Sequence, residues 1–532
     1  MTDDTQITDL FVIGGGINGC AIARDAAGRG LTVRLAERND LGWATSSAST
    51  KLFHGGLRYL EYFEFRLVRE ALREREVLLQ AMPHIAWPMR FVLPYHRDMR
   101  FETDTPAARL LGRVMPWTRG RRPAWLIRGA LALYDTLGGR SRLPRTRTLS
   151  LTGTAEGAPL QPRFEHAFEY SDGWVDDARL VVLNARDAAA RGARLMLRTE
   201  VISAEREESA WLIRTRNCDT DQIAEHRAHM VVNAAGPWAS EVLKDRLNMV
   251  STDRIRLVRG SHIVVPRLYE HNKCYFLQGT DGRIIFAIPY ETDFTLIGTT
   301  DADHPDAFTP PHCTEEERDY LLSFANRYFR QPLTADDVVW SYAGMRPLHD
   351  DGTAKASAAT RDYTLKLDTA GGAPLLNVFG GKITTYRKLA ENALTLISRH
   401  LAAGPAWTAG AALPGGDFPV DQVAELIAGL RADYSFLTAP WAARLVRAYG
   451  TEARSVLGAA QTAQDLGTEF GATLTEAELD WMMSHEFART AEDALWRRSK
   501  LGLRMTPDQV RSVERWMAGH DVQPGPAGPK IN

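Results

Sequence analysis

A glycine-rich turn near the N-terminus constrains the fold more than any other stretch of the chain. An apolar run at residues 9–13 precedes a helical pattern, and between them lie Gly14, Gly15, Gly16, Ile17, Asn18 and Gly19. Glycines at this spacing allow a tight turn, close approach of the backbone to a pyrophosphate, and close packing of helix on strand. The next apolar run ends at Glu37, whose carboxylate can accept a hydrogen bond from a ribose hydroxyl and repels a 2′-phosphate. The pattern predicts a dinucleotide site and disfavours NADP.

Length and composition limit the classes to which the protein can belong. The chain has 532 residues, 44% of them hydrophobic and 24% charged, with a net charge of −2, which predicts two or three globular domains and no nucleic-acid partner. Its four cysteines form no CxxC pair, so neither a metal site nor a disulfide framework is indicated and a reducing compartment fits. No apolar run reaches the roughly 18 residues of a spanning helix. We expect a protein that is neither exported nor membrane-spanning but that can lie on a membrane.

Three later stretches combine small residues with polar ones. The first is a polar turn with a following glycine doublet, the second is the end of the apolar run 230–234, and the third follows the run 375–379. Small residues let the backbone approach a flat ligand closely. Helix capping by Ser or Thr is the alternative for the first and third stretches. The residues concerned are Thr45, Ser46, Ser47, Ser49, Lys51, His54, Gly55 and Gly56, then Ala235 and Gly236, then Gly381, Lys382 and Thr384.

These separated contacts predict a long cofactor and a divided dinucleotide-binding domain. A cofactor that touches the N-terminal turn and residues near 235 and 381 fits FAD better than a nicotinamide cofactor. The expected fold is α/β: a Rossmann-like FAD-binding domain, an inserted and largely antiparallel β substrate domain, and a C-terminal helical domain. The expected segments are FAD-binding parts at 1–95, 151–250 and 351–403, a basic segment at 96–150, the β domain at 251–350 and the helical domain at 404–532, in which Thr475 and Glu478 match a capping box.

The basic segment is rich in arginine and tryptophan. The stretch from Thr105 to Tyr134 contains no acidic residue. It contains six arginines and two tryptophans. Apolar residues recur at helical spacing from Ala124 onward. An interfacial helix docked on anionic lipid and a core helix beside a solvated basic loop are both consistent with this pattern.

The remaining chemistry points to redox catalysis on an anionic substrate. The chain lacks HExxH, GxSxG and P-loop motifs. Arg58, Arg346 and Lys382 lie beside glycine-rich or strand-end positions, so together they indicate a carboxylate or phosphate on the substrate, although each alone could be a surface charge. His54 and His262 are candidate general bases toward a substrate hydroxyl, although a lone histidine is more often structural.

The sequence resembles the FAD-dependent glycerol-3-phosphate dehydrogenases, the aerobic, membrane-associated enzymes. The resemblance covers nearly the whole chain, and only the run 101–122 is longer than the family pattern. It rests on the residues 14–19, 45–51, 54–60, 260–266, 344–348, 380–387 and 494–498. It implies that Arg58, Tyr59, Arg346 and Lys382 bind the substrate and that His54, or else His262, is the base. It also implies FAD contacts from the glycine turn, the three stretches above, Glu37, Arg38 and Val201.

The resemblance further implies a reaction and a location. It implies oxidation of sn-glycerol 3-phosphate to dihydroxyacetone phosphate by hydride transfer from C2 to flavin N5, with membrane quinone as electron acceptor. The protein would lie peripherally on the cytoplasmic face of the inner membrane, on anionic lipid, and a homodimer is left open. The alternatives are an oxidase of the same substrate that reduces O2 to H2O2, a flavin amine or amino-acid oxidase, and a non-enzymatic redox sensor.

Overall fold

The structure is a computed structural model that describes residues 7–96, 99, 105–115, 123–139, 142–249, 255–279, 282–349 and 362–520. Its strands are β1 (Thr8–Ile13), β2 (Val33–Glu37), β3 (Leu52–Phe53), β4 (Ala86–Tyr95), β5 (Arg147–Ser150), β6 (His166–Val175), β7 (Arg194–Leu197), β8 (Thr199–Arg206), β9 (Trp211–Asn217), β10 (Ile223–Asn233), β11 (Ile255–Pro266), β12 (Cys274–Gln278), β13 (Ile284–Tyr290), β14 (Phe294–Gly298), β15 (Ala302–Asp303), β16 (Trp340–His349), β17 (Thr364–Asp368), β18 (Leu375–Phe379), β19 (Glu469–Gly471) and β20 (Leu474–Thr475).

The α-helices are α1 (Ile17–Gly28), α2 (Phe65–Ala81), α3 (Pro106–Val114), α4 (Ala124–Leu137), α5 (Asp177–Ala190), α6 (Ala239–Glu241), α7 (Glu315–Asn326), α8 (Tyr386–Ile397), α9 (Val423–Asp433), α10 (Ala439–Tyr449), α11 (Ala453–Leu457), α12 (Glu476–Glu486) and α13 (Pro507–Gly519). Short 3₁₀ helices include Thr45–Ser47, Leu57–Tyr62 and Ile383–Thr385, and a π-helix spans Asp493–Arg498.

The first sheet is the expected dinucleotide-binding sheet. β1 pairs in parallel with β2 on one side and with β10 on the other, β2 continues to β7, and β10 continues to β18, all in parallel. β17 and the β8–β9 hairpin add antiparallel strands. The buried helix α1 packs against α5 and α8. Strands from 8–37, 194–233 and 364–379 therefore form one sheet, which confirms the divided α/β fold.

The second sheet is mainly antiparallel and extends beyond the expected segment 251–350. Its strand order is β15-β11-β14-β13-β12-β4-β6-β3, with β16 on β11 and β5 on β6. β12 joins β4 in parallel through the pair Cys274–Phe91, and this join is covered by a packed aromatic cluster. Burial of these rings explains why strands from early in the chain complete the sheet.

The C-terminal helices have a core of their own, which includes Leu445, Leu479 and Met482. The predicted capping box at Thr475 and Glu478 is wrong, because the Thr475 side chain makes no capping hydrogen bond to α12. The Glu478 carboxylate instead accepts hydrogen bonds from Arg444 at 2.6 Å and from the Tyr449 hydroxyl at 2.9 Å. Glu478 is buried, so a paired guanidinium is the more favourable partner than a terminal backbone N–H.

Helix α4 begins at Ala124, as its spacing predicted, and has two different faces. Ile127, Leu131 and Tyr134 are buried, whereas Trp125 and Leu133 are exposed. Among the described residues, no helix combines the length and the apolar character needed to cross a bilayer.

Candidate active site

The glycine turn joins β1 to α1 and brings the two elements into direct contact. Gly14 has a φ of +110°, and a Cβ on Gly19 would lie 1.9 Å from the Gly14 carbonyl oxygen. Only residues without a side chain fit these positions. The first turn of α1 is therefore open to an approaching anion, since Gly16 supplies no side-chain cap.

Glu37 lies at the end of β2, and its side chain is hydrogen-bonded to the backbone of the glycine turn. Its carboxylate accepts the N–H groups of Gly15 at 2.7 Å and Asn39 at 2.8 Å. Burial raises the pKa of Glu37, and these two hydrogen bonds oppose the shift. The carboxylate lines the cavity above the turn, where the ribose of a dinucleotide is expected.

The segment after Glu37, residues 38–46, forms another wall of this cavity and is anchored from the C-terminal helices. We call it the cofactor loop. The Ser46 hydroxyl accepts the N–H of Ile17 at 3.0 Å. Asp40 is 2% exposed and accepts hydrogen bonds from Arg497 at 2.6 Å and from Arg498 at 2.7 Å.

Two cavities run into each other along the first sheet. The dinucleotide cavity has a volume of about 200 Å³ and the polar cavity about 380 Å³, and both are lined by Ile17, Thr45, Ser46 and Gly381. Of the other predicted residues, Gly14, Gly16, Asn18, Glu37, Arg38, Val201, Ala235 and Gly236 line the first cavity, and Ser49, His54, Gly56, Arg58, Tyr59, Arg346, Lys382 and Thr384 line the second.

The continuous cavity fits FAD. Its glycine end offers a helix N-terminus and a carboxylate, and the Asn18 carboxamide oxygen there is buried without a hydrogen-bond partner, although its nitrogen donates to the Gly380 carbonyl at 3.1 Å. A long dinucleotide with a flat ring system needs both the helix N-terminus and the small residues at 380–381 that adjoin the polar cavity.

The polar cavity brings together the three predicted cations, and at least two of them have protein partners. Arg346 forms an ion pair with Asp301 and donates a hydrogen bond to the Thr299 hydroxyl at 2.8 Å. The Lys382 ammonium lies 3.8 Å from the centre of the Tyr59 ring. Arg58 and His54 are half-buried in the same wall. An anion bound here meets three positively charged side chains, although Asp301, which pairs with Arg346, lines the same cavity.

Six predicted residues line neither cavity. Lys51 is 1% exposed, and its ammonium lies 2.5 Å from Asp177. His262 is 1% exposed, its ring stacks on Tyr342, its Nε2 lies 3.0 Å from the Thr50 hydroxyl, and burial lowers its pKa well below the usual value. The other four are Gly15, Gly19, Ser47 and Gly55.

Several residues of the site were missed from the sequence. Asp301 and Thr299 hold Arg346, and Gly260 leaves space for it, since a Cβ there would lie 2.3 Å from the guanidinium. Asp172 lines the polar cavity from β6. The only available signal was Gly260, which belongs to one of the resemblance motifs. Among the described residues, no group of three or more His, Cys, Asp or Glu side chains could hold a metal ion.

Comparison with known proteins agrees with this geometry. The family model described as FAD dependent oxidoreductase matches residues 9–387, and the one described as C-terminal domain of alpha-glycerophosphate oxidase matches residues 406–518. The chain is 46% identical to the aerobic glycerol-3-phosphate dehydrogenase of Escherichia coli, over 97% of this chain and 99% of that protein. The chain belongs to the family of FAD-dependent glycerol-3-phosphate dehydrogenases.

Two further proteins are similar to this chain over nearly its whole length. D-erythritol 1-phosphate dehydrogenase of Brucella abortus is 48% identical, over 96% of this chain and 98% of that protein. The crystal structure of the glycerol-3-phosphate dehydrogenase from Bacillus halodurans complexed with FAD has a TM-score of 0.72 and 28% identity, and covers 97% of this chain and 91% of that one. The protein is therefore a flavoprotein oxidoreductase with FAD as its cofactor, which confirms the resemblance, the fold and the cofactor.

Proposed function

We propose that the protein oxidises sn-glycerol 3-phosphate to dihydroxyacetone phosphate. The observation that carries this proposal is the polar cavity, in which Arg58, Arg346 and Lys382 lie together with His54 beside the flavin end of the FAD site. Three cations suit a phosphate dianion better than a single carboxylate, for which one arginine is sufficient. The names of the relatives support the same substrate.

In this proposal the side chains of the polar cavity divide the work. Arg58, Arg346 and Lys382 bind the phosphate, and Tyr59 orients Lys382 through its ring. His54 takes the proton of the C2 hydroxyl as the C2 hydride leaves. Bound FAD supplies the hydride acceptor. His262 is not included, because its buried, neutral ring lies outside the cavity.

The test is anaerobic mixing of the purified yellow protein with glycerol 3-phosphate while the flavin absorbance is recorded. We expect rapid bleaching of the flavin band, with one dihydroxyacetone phosphate formed for each flavin reduced. No bleaching would contradict the proposal. Bleaching by an amino acid instead would identify an amino-acid oxidase.

A second candidate substrate is D-erythritol 1-phosphate. It is favoured by the Brucella abortus relative, which is as similar to this chain as the glycerol-3-phosphate dehydrogenases are. The same phosphate-binding cations serve both molecules, and only the length of the polyol differs. The ratio of kcat/KM for the two substrates decides between them, and a value above one for erythritol 1-phosphate would replace the first candidate.

We also propose that the electrons pass to membrane quinone and that the protein docks peripherally on anionic lipid, on the cytoplasmic face of the inner membrane. Support comes from an apolar patch around α3 and α4 that contains Phe63, Phe65, Leu110, Trp125 and Leu133, between 40% and 57% exposed. Three exposed arginines, Arg109, Arg113 and Arg128, accompany it. The residues 100–104 and 116–122 of the basic segment lie outside the described residues.

Vesicle binding and acceptor assays test this second part. Co-sedimentation with phosphatidylglycerol vesicles is expected for the protein, with little binding to phosphatidylcholine vesicles. A double variant, Trp125→Ser/Leu133→Ser, should lose most of the binding. A soluble ubiquinone analogue should be reduced in proportion to the substrate consumed, whereas stoichiometric H2O2 would favour the oxidase. Light scattering of the same preparation reports whether the protein is a homodimer.

A further inference from the structure

A buried chain of hydrogen bonds reaches the loop His54-Gly55-Gly56 from beneath. We call these three residues the histidine loop. The N–H of Gly55 donates to the Tyr134 hydroxyl at 2.7 Å, and that hydroxyl donates to the Asp172 carboxylate at 2.8 Å. Arg75 donates to the same carboxylate at 2.8 Å. We infer that Tyr134, oriented by Asp172, is a positioning residue that sets the place of His54 in the polar cavity.

The members of the chain are almost wholly buried, although Asp172 lines the polar cavity and Arg75 and Tyr134 line another cavity of about 340 Å³. Tyr134 is 2% exposed, Asp172 is 1% exposed and Arg75 is 5% exposed. Without Tyr134 Oη, the N–H of Gly55 keeps only a long contact of 3.4 Å to Asp172. A buried N–H that loses its acceptor shifts or pays the cost of desolvation.

The packing shows that the histidine loop is pressed onto Tyr134. A Cβ on Gly55 would lie 2.6 Å from the Tyr134 hydroxyl and 2.5 Å from Leu72. Gly56 has a φ of +76°, which keeps the chain in the left-handed region between His54 and the following 3₁₀ helix. The loop has little room to move while the hydroxyl is present.

The ionised form of Asp172 is the one that accepts from Tyr134. Burial raises the pKa of Asp172 to about 6, and the Arg75 guanidinium opposes that shift. Tyr134, Tyr170 and Cys274 also face the carboxylate, and burial holds the pKa of each of them above its usual value. The Asp172 carboxylate, held by Arg75 at 2.8 Å, is the acceptor that orients the hydroxyl.

The inference rests on the proposed role of His54 in substrate oxidation, and both can be tested in one anaerobic stopped-flow series. Tyr134→Phe keeps the ring and removes one oxygen atom. We expect the rate constant of flavin reduction by glycerol 3-phosphate to fall by roughly 10- to 100-fold, because a displaced reacting group is costly. The substrate KM and the FAD Kd should stay within about twofold, since the phosphate-binding cations and the glycine turn are untouched.

Tyr290→Phe is the matched control. Tyr290 is 1% exposed in the same hydrophobic cluster, but its hydroxyl has no hydrogen-bond partner among the described residues. Its loss should leave the reduction rate within about twofold of the parent. If Tyr134→Phe does not accumulate as folded protein, Asp172→Asn keeps the side-chain volume and removes the charge that orients Tyr134, and a similar loss of rate is expected.

The outcomes separate the two ideas. An unbleached parent enzyme would overturn the proposed function and this inference with it. A bleached parent with an equal rate in Tyr134→Phe would overturn only the positioning role. A variant whose KM, FAD Kd and melting temperature all change together would also overturn it, because general destabilisation would then explain the slower rate.

Discussion

The two ends of the long cavity are built in different ways. At the dinucleotide end, one β1–α1–β2 unit supplies the turn, the helix N-terminus and Glu37, whose carboxylate accepts the N–H of Gly15. At the polar end, His54, Arg346 and Lys382 come from three distant parts of the chain and act through their side chains. The first end depends on the absence of side chains, and the second depends on their charge.

Because of this difference, FAD binding and substrate binding should depend on different ends of the cavity. Space for the backbone decides whether the cofactor fits, so changes at the glycine turn should alter FAD affinity. The cations of the polar end are partly engaged before substrate arrives, as Arg346 with Asp301 and Lys382 with Tyr59 show. A phosphate must share these cations with the protein, so changes there should alter substrate recognition and leave FAD bound.

The largest effect is expected from Arg346→Met. Removing one partner of the half-buried Arg346–Asp301 pair leaves Asp301 without its guanidinium at the place where an anion must bind. We expect kcat/KM for glycerol 3-phosphate to fall roughly 30- to 4,000-fold, which corresponds to a loss of about 2 to 5 kcal/mol of transition-state stabilisation. Steady-state kinetics measures the loss, and titration of the apoprotein should give an FAD Kd close to that of the parent.

Arg256→Met is the control for this substitution. Arg256 pairs with Asp303 at 2.9 and 3.0 Å on the same sheet but lines neither cavity. Its loss should leave kcat/KM within about twofold. A large decrease in FAD affinity in Arg346→Met would break the separation between the two ends.

A smaller effect is expected from Gly19→Ala, and it should change the FAD Kd rather than kcat/KM for the substrate. The added methyl group meets the Gly14 carbonyl oxygen at 1.9 Å, so the turn or α1 must shift. Overpacking of this kind costs about 1 to 3 kcal/mol, which would raise the FAD Kd by roughly 5- to 150-fold. Flavin fluorescence during titration measures it, and kcat at saturating FAD should recover.

Gly129→Ala provides the comparison, because no described atom beyond the neighbouring backbone of α4 lies within 4 Å of the Cβ position at Gly129. FAD affinity should not change. If both alanine variants lose FAD affinity equally, the close contact between β1 and α1 is not the reason why Gly19 is needed for FAD binding.

Local physics explains which parts could be predicted from the sequence. The turn from Gly14 to Gly19 and the helix that begins at Ala124 follow from local sequence spacing, and both are present in the structure. The partners of a strand do not follow from its own alternation. That β4 and β6 would complete the second sheet could therefore not be predicted, and neither could the position of Asp172 on β6 beneath the histidine loop.

The polar end shows the same limit at the level of single residues. Arg346 was predicted to lie just after a strand, but it lies within β16, and its partners Asp301 and Thr299 are fixed only by the pairing of β11 with β15 and β16. The capping box at Thr475 failed because the guanidinium of Arg444 pairs with the buried carboxylate of Glu478 instead. Contacts that depend on long-range packing decide these cases.

The smallest predicted effect tests whether FAD affinity depends only on residues of the dinucleotide end or also on a contact from the C-terminal helices. Arg498 is fully buried and joins the C-terminal helices to Asp40 of the cofactor loop. In Asp40→Asn/Arg498→Met both charges disappear, and Arg497, which loses Asp40 as a partner, keeps its ion pair with Asp493. We expect the FAD Kd to rise by roughly fivefold, or about 1 kcal/mol, because the loop loses its anchor.

A second ion pair connects the same two parts of the molecule without touching the cofactor loop. Arg186 of α5 donates to Glu452 at 2.7 and 2.9 Å, so Arg186→Met/Glu452→Gln removes a less buried pair between the same parts. Both double variants should lower the melting temperature of the apoprotein, but only the first should weaken FAD binding. If the two variants bind FAD equally, the C-terminal helices stabilise the protein without shaping its cofactor site, and the dinucleotide end is as local as its sequence motif suggests.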